Sequence, residues 1–322
     1  MRAVRISALT GPDAAHCVEA EPPRPGPEDV LIDVHAAGVT FPDVLVTRGQ
    51  HQFKPDLPFT PGYEVAGIVR SAPKGTRFTV GDRVAAIPHF GGYAEQVATN
   101  HRLVFPLPSS VSFTCGAGLP LNYLTADYAL VRRGALRPGE TVLVHGGAGG
   151  LGTAAVQLAK ALKARVFAVV SSPEKAEIAA AAGADEVIFL DDFRQAVATL
   201  TDNVGVDMVF DPVGGDRFTD SLRSLKFEGR LLVLGFTGGE IPTVKVNRLL
   251  NRDIDVRGVA FGRPWWLDMD YLGVQWDRLL PHFESGRLST LVGQTYPLSD
   301  ASRALRDVDE RRAIGKIVLR VS

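Results

Sequence analysis

The sequence predicts an α/β protein built from a small β-rich domain and a doubly wound parallel sheet flanked by helices. Three observations predict it. The chain has 322 residues, enough for two full cores at about 100–200 residues per domain. Residues 1–122 read as short strands punctuated by turns, the texture of a barrel-like β domain. Residues 123–262 alternate apolar strands with helical stretches, which places strands in parallel with helices on both faces.

The elements follow in order. In the first region Val30–Val34 is a strand after the proline-rich Pro22–Pro27, Tyr63–Val69 is another, a Gly81-Asp82 turn precedes a strand reaching Ala86, and Tyr93–Val97 is a further short strand. In the second region Thr141–His145 is a continuous apolar strand, a glycine-rich turn follows, and Leu151–Leu162 has helical spacing. Arg165–Val170 is a second buried strand. Glu174–Ala182 is an alanine-rich helix stopped by Gly183. Glu186–Phe189, Val206–Phe210, Arg230–Leu234 and Asp255–Ala260 are further strands, with helices near Phe193–Leu200 and Asp216–Leu225 between them. Residues 263–322 carry one helix, Trp276–Phe283, and a strand, Lys316–Val321; too short for a core of their own, they are expected to return to the first region and complete it.

Composition narrows the function. Thirty-five Lys and Arg against 36 Asp and Glu leave a net charge of −1, so there is no basic surplus for nucleic acid. No apolar run reaches the roughly 18–20 residues of a membrane span. The opening MRAVRISALTG lacks an apolar stretch and is not expected to act as a secretory signal. Cys17 and Cys115 alone can form neither a disulfide framework nor a four-cysteine zinc site, and a reducing cytoplasm is the expected setting.

The chemistry concentrates at His145-Gly146-Gly147-Ala148-Gly149-Gly150-Leu151-Gly152. Gly147, Gly149 and Gly152 form G-x-G-x-x-G between a strand and a helix, with the next strand close behind. Glycines permit a tight turn and close backbone approach, and the helix N-terminus offers unpaired N–H groups to a pyrophosphate. The end of the following strand selects the nucleotide. Chains that prefer NAD place an acid there for the ribose 2′-hydroxyl. This chain has Ser171-Ser172-Pro173-Glu174-Lys175. The two hydroxyls and the Lys175 ammonium suit a 2′-phosphate, so NADPH is the expected coenzyme; a serine before Pro173 can also cap the helix while serving that role. Glu174, on the first helical turn, is the one acid nearby.

On these residues the chain resembles the medium-chain dehydrogenase/reductase superfamily, above all its zinc-independent quinone oxidoreductase branch. The resemblance covers nearly the whole chain and rests on Ala36-Ala37-Gly38-Val39, Asp43, Gly49, Pro58–Gly62, Glu64 with Gly67, Gly81-Asp82-Arg83-Val84, Gly92-Tyr93-Ala94-Glu95, Leu124-Thr125, the glycine-rich turn and Gly315–Leu319. It implies a GroES-like substrate domain with a Rossmann cofactor domain, a homodimer or homotetramer pairing near Asp255–Ala260, and reduction of quinones or other conjugated carbonyl acceptors with NADPH. It further implies that Gly149, Gly150, Leu151 and Gly152 cradle the pyrophosphate. Ser171, Lys175 and Arg311 would serve the 2′-phosphate, and Thr125, Phe236 and Phe261 the nicotinamide half. Thr40, Leu45 and Leu190 depart from the branch, which often carries Asn, Tyr and Tyr there.

Zinc-using relatives place Cys at the position of Thr40 and His at that of Tyr63, and neither Thr nor Tyr is an ordinary zinc ligand, so no metal is expected. Without a Lewis acid a conjugated acceptor suits the site, because hydride addition leaves an oxyanion that hydrogen bonds can stabilise. Tyr63 is the leading donor, or else a packing residue of the wall; Thr40 and Thr125 are further donors. Trp265 and Trp266 either line an acceptor pocket or pack an interface. Two other readings stay open: reduction of an enoyl thioester such as acryloyl-CoA, and NADPH binding without catalysis, as in a crystallin or an RNA-binding protein.

Overall fold

The structure, a computed structural model, describes residues 1–262 and 268–321. The chain divides into two compact units, one of Met1–Leu124 with Asp268–Ser322 and one of Thr125–Leu267. Each is described by itself.

The first unit opens with β1 (Arg2–Ile6), β2 (Ala15–Glu19), β3 (Asp29–Val39), β4 (Glu64–Ser71), β5 (Arg83–Ala86), β6 (Gln96–Asn100) and β7 (Val104–Pro106). The second unit contributes β8 (Thr141–His145), β9 (Arg165–Val170), β10 (Glu186–Phe189), β11 (Val206–Asp211), β12 (Leu225–Val233) and β13 (Asp255–Gly258). The chain then returns to the first unit with β14 (Val292–Pro297) and β15 (Lys316–Arg320).

In the first unit the strand order is β14-β15-β3-β4-β5-β7, with β6 also paired to β3; β1 and β2 form a separate ribbon. β3 organises this sheet. Its first half alternates half-buried and buried residues, whereas Ala36–Val39 is buried on both faces. Small residues there admit close neighbours: a Cβ on Gly38 would lie 2.5 Å from both Glu64 Oε1 and the Ala117 carbonyl oxygen. The curved sheet wraps Val4, Ile32, Val34, Val65, Val84, Tyr93 and Ile317 into one core.

The return segment holds more structure than its sequence suggested. The helix anticipated at Trp276–Phe283 runs over Asp270–Glu284, burying Leu272, Gln275, Trp276, Leu279 and Phe283. Trp276 stacks on Phe105 at 4.8 Å and donates to the Pro106 carbonyl at 3.0 Å. β14 and a helix at Ala301–Asp309 were not anticipated. That helix is largely polar, yet Ala301, Ala304 and Leu305 recur on one buried stripe, and the stripe is its only sequence signal.

In the second unit six strands lie in the order β10-β9-β8-β11-β12-β13, all pairs parallel. This is the Rossmann order, with its switch point between β8 and β11. Leu143, Phe167, Val169, Ile188, Val209 and Leu231 form the core beneath the helices. Continuous apolar strands such as Val142-Leu143-Val144 are fully buried, as a sheet covered on both faces requires. The α/β class read from the alternation is the class observed. Among the described residues no helix is long and apolar enough to cross a membrane.

Candidate functional site

The glycine-rich turn sits where β8 ends, at the switch point. Each glycine there has its own physical reason. A Cβ on Gly147 would lie 2.8 Å from Ala168 Cβ, so glycine lets the turn pack on β9. A Cβ on Gly152 would lie 2.0 Å from the Gly146 carbonyl oxygen, so glycine lets the helix Gly150–Ala161 close on the turn. Gly149 is different. It caps the helix with φ −81° and ψ 169°, a conformation open to any residue, and its only near atom is the Gly146 oxygen at 3.5 Å. Neither packing nor backbone geometry requires glycine at this position; its effect is to keep the space over the turn clear. The Thr153 N–H bonds to the Gly149 carbonyl at 2.8 Å, while the N–H groups of Gly150, Leu151 and Gly152 precede the first intrahelical bond. Three donors at the positive end of a helix dipole thus border an open volume, a fit for the pyrophosphate of a dinucleotide.

At the end of β9, Ser172 caps the helix Pro173–Ala181, its hydroxyl accepting the Lys175 N–H at 3.4 Å. The Lys175 ammonium donates to Ser171 Oγ at 3.1 Å. A cation and a hydroxyl are therefore held together at the surface. The exposed Glu174 carboxylate takes a hydrogen bond from Ser172, which holds it below the usual carboxylate range. An acid thus stands beside the cation, and Ser172 is engaged twice within its own turn.

Elsewhere in this unit His145 is buried at the end of β8, its Nε2 2.8 Å from Ser221 Oγ, which itself donates to the Arg217 carbonyl at 3.0 Å. Burial pushes its imidazole down, against the opposing charge of Asp211. Asp211 Oδ1 accepts the N–H groups of Val213 and Gly214 at 2.8 and 2.9 Å and shapes the loop after β11. Phe236 lies in the loop after β12, its carbonyl accepting the Gly239 N–H at 2.8 Å. Phe261 is buried with its ring 5.9 Å from that of Tyr128, and Thr125 is half-buried on the helix Pro120–Asp127.

The first unit carries a second cluster. Thr40 caps the helix Phe41–Thr47 in a capping box: its hydroxyl donates to Asp43 Oδ2 at 2.6 Å, and its N–H donates to the same oxygen at 2.9 Å. The Gly62 N–H reaches Asp43 Oδ1 at 3.0 Å. Burial lifts the Asp43 carboxyl to about 6 despite these donors. The Thr40 hydroxyl proton is thus committed to Asp43, whose own contacts serve the loop entering β4. Tyr63, just before β4, is 4% exposed and packs on Phe90 at 5.4 Å. Its hydroxyl lies 3.2 Å from His51 Nδ1. Burial, then the Asp43 charge, push the phenol far up, so it stays protonated. Glu64 is wholly buried; it forms an ion pair with Lys316, and its other oxygen accepts the Leu121 N–H at 2.9 Å. That pair ties β4 to β15 and leaves Glu64 no catalytic freedom.

Among the described residues no three His, Cys, Asp or Glu side chains gather as ligands for a metal ion. Trp265 and Trp266 lie outside the described residues. Arg311 is an exposed residue of the first unit with φ 59°, just past the helix Ala301–Asp309. Sequence reading passed over His51 and Lys316. His51 stands in the polar stretch Gln50-His51-Gln52 with no motif around it, and Lys316 was read only as the start of a strand.

Comparison with known proteins covers both units. The alcohol dehydrogenase GroES-like domain family matches residues 26–132, and the zinc-binding dehydrogenase family matches residues 150–274. Quinone oxidoreductase-like protein 2 of Bos taurus is 37% identical over 309 residues, covering 94% of this chain and 88% of that one. A probable oxidoreductase from Mycobacterium abscessus shares the fold at TM-score 0.91 and 42% identity, over 100% of this chain and 99% of that one. The Escherichia coli quinone oxidoreductase complexed with NADPH aligns at TM-score 0.91 and 29% identity, over 100% of both chains.

Proposed function

Because the chain belongs to the medium-chain dehydrogenase/reductase superfamily, in its quinone oxidoreductase-like branch, we propose that it is an NADPH-dependent, zinc-free reductase of quinones or other conjugated carbonyl acceptors. The observation that carries the reading is the cleared, donor-bordered turn at Gly149 with Ser171 and Lys175 at the next strand end. The N–H groups of Gly150, Leu151 and Gly152 would hold the pyrophosphate, with Gly149, whose own N–H donates to the Gly146 carbonyl at 3.0 Å, leaving the space beside them open. Ser171, Ser172 and Lys175 would grip the 2′-phosphate, with Arg311 as a further cation. Thr125, Phe236 and Phe261 would border the nicotinamide end. Bound there, the dihydronicotinamide supplies a hydride.

The zinc-free reading rests on ligand chemistry. Thr40 gives its proton to Asp43 and the Tyr63 hydroxyl lies against the His51 imidazole, and neither Thr nor Tyr is an ordinary zinc ligand. The aromatic group Phe53, Tyr63 and Phe90 would form an apolar wall for a flat acceptor, with Thr40 bound to the same Asp43 that accepts the Gly62 N–H just before Tyr63. Excluding water there strengthens any hydrogen bond to the oxyanion that hydride addition creates. A second copy of the chain is the proposed protein partner, docking at β13, which forms one edge of its sheet.

The test is a panel of acceptors with both coenzymes: 1,4-benzoquinone, a simple enone, crotonyl-CoA and a plain aldehyde. Faster NADPH than NADH oxidation with the first two supports the proposal. Turnover confined to the CoA thioester would replace it with enoyl reduction. Tight NADPH binding without turnover of any acceptor would make the chain a binding protein.

A further inference from the structure

We infer that Asp211 is the residue that positions the nicotinamide end of the coenzyme, by fixing the loop on which the Phe236 loop rests. The inference rests on the proposed coenzyme site and lies wholly within the second unit.

Asp211 ends β11 at the switch point and is 3% exposed. Its Oδ1 accepts two backbone N–H groups, from Val213 at 2.8 Å and from Gly214 at 2.9 Å. An aspartate that takes the donors two and three residues further on turns the chain back sharply. Gly214 and Gly215, at φ 64° and 74°, complete that turn in the region that favours glycine. The loop so fixed has two neighbours. On one side a Cβ on Gly146, the first glycine of the glycine-rich turn, would lie 3.5 Å from Val213 Cγ2. On the other a Cβ on Gly214 would lie 2.9 Å from Phe236 Cδ1, so the Phe236 ring rests on the Gly214 backbone.

The two neighbours differ in what else holds them. The glycine-rich turn is tied to β9, where the Gly147 N–H reaches the Val169 carbonyl at 3.1 Å, and its helix closes on Gly149. The Phe236 loop has no such second anchor. Among the described residues, the hydrogen bonds that residues 234–240 make to other elements all run to residues 211–215. Leu234 N–H donates to the Asp211 carbonyl at 2.9 Å, and Gly238 N–H to the Val213 carbonyl at 2.8 Å. Thr237 donates twice to the Pro212 carbonyl, from its N–H at 3.2 Å and its hydroxyl at 3.1 Å. The Glu240 carbonyl accepts the Gly215 N–H at 3.2 Å. Asp211 thus sets a frame, and Phe236 takes its place from that frame. Without the carboxylate two N–H groups lose their acceptor and the frame shifts to satisfy them. The pyrophosphate seat keeps its own anchors, while the nicotinamide seat moves.

The test uses the full chain and reads binding rather than turnover. Calorimetric titration compares NADPH with 2′,5′-ADP, which carries the adenosine and the 2′-phosphate but no nicotinamide. Asp211→Ala should weaken NADPH by about tenfold and leave 2′,5′-ADP within about twofold of the wild type. Asp211→Asn, which keeps an acceptor oxygen, should recover part of the loss, with NADPH about threefold weaker than in the wild type. If Asp211→Ala does not fold, the same split in Asp211→Asn decides the matter. Equal losses for the two ligands would make Asp211 a residue of the fold alone. That result, or an unchanged NADPH affinity, would overturn the inference while the coenzyme site stands. A wild-type chain that binds neither ligand would overturn both.

Discussion

Replacing Gly149 by alanine separates what folds this chain from what binds its coenzyme. At φ −81° and ψ 169° alanine meets no backbone strain, and the added Cβ would touch only the Gly146 oxygen, at an ordinary 3.5 Å. Losing a glycine from the unfolded ensemble is worth about 0.4–1 kcal/mol in favour of the fold. Alanine caps a helix less well than glycine, by roughly 0.5–1 kcal/mol. The two nearly cancel, so the melting temperature should move by no more than about 4 °C. The methyl group would, however, take up open space at the head of the helix, where the proposed pyrophosphate would lie. Displacing a phosphate from even one charge-assisted hydrogen bond costs about 1.5–3 kcal/mol, which is a loss of tenfold or more in NADPH affinity. Gly152→Ala should behave in the opposite order. Its Cβ would lie 2.0 Å from a backbone oxygen, so the helix must move and stability should drop by about 3 kcal/mol. Thermal melts and calorimetric titration with NADPH on both variants decide the matter. A folded Gly149→Ala protein with wild-type NADPH affinity would refute the assignment of this turn to the coenzyme.

The other predictions concern charge. Lys175→Ala should raise the KM for NADPH about fivefold, as for an exposed ion pair of about 1 kcal/mol, and leave NADH nearly unchanged; equal effects on both would remove the 2′-phosphate from this turn. Glu174→Gln should tighten NADPH about two- to fivefold without touching NADH, since it removes a carboxylate beside the same phosphate. For Asp43 the folded pKa is raised, so its favourable contribution is present below about pH 3.8 and is lost as pH rises through about 6. At about 1.4 kcal/mol per pH unit the gap is worth about 3 kcal/mol. Whatever its absolute stability, Asp43→Asn should therefore gain on the wild type by up to that amount between pH 4 and 7 in urea titrations, and parallel curves would contradict the buried carboxyl. Chelators should leave turnover intact, and stoichiometric zinc in the purified protein would end the metal-free reading.

The second unit was the more legible in sequence. Strands buried on both faces, such as Thr141–His145 and Arg165–Val170, show as largely apolar runs, and the glycines between β8 and its helix mark a place where backbone can be approached closely. The first unit was harder. β3 mixes an alternating half with a doubly buried half, so only Val30–Val34 stood out from a strand that spans Asp29–Val39. The helix Ala301–Asp309 was hidden because its apolar stripe is made of two alanines and a leucine. Tyr63 could be singled out from the position it shares with a zinc ligand of relatives, but its contact with His51 could not.

The sequence by itself determined the α/β class, the glycine-rich turn between a strand and a helix, and the absence of ordinary zinc ligands at Thr40 and Tyr63. These are local properties: periodicity, glycine spacing and side-chain type do not depend on distant residues. Only the tertiary structure decided that Asp43 is spent on Thr40 and Gly62, that Glu64 is paired with Lys316, and that Tyr63 meets His51. A hydrogen bond belongs to two groups at once. Where one partner lies twelve residues away, or at the far end of the chain, its proton cannot be assigned until the fold has brought both together.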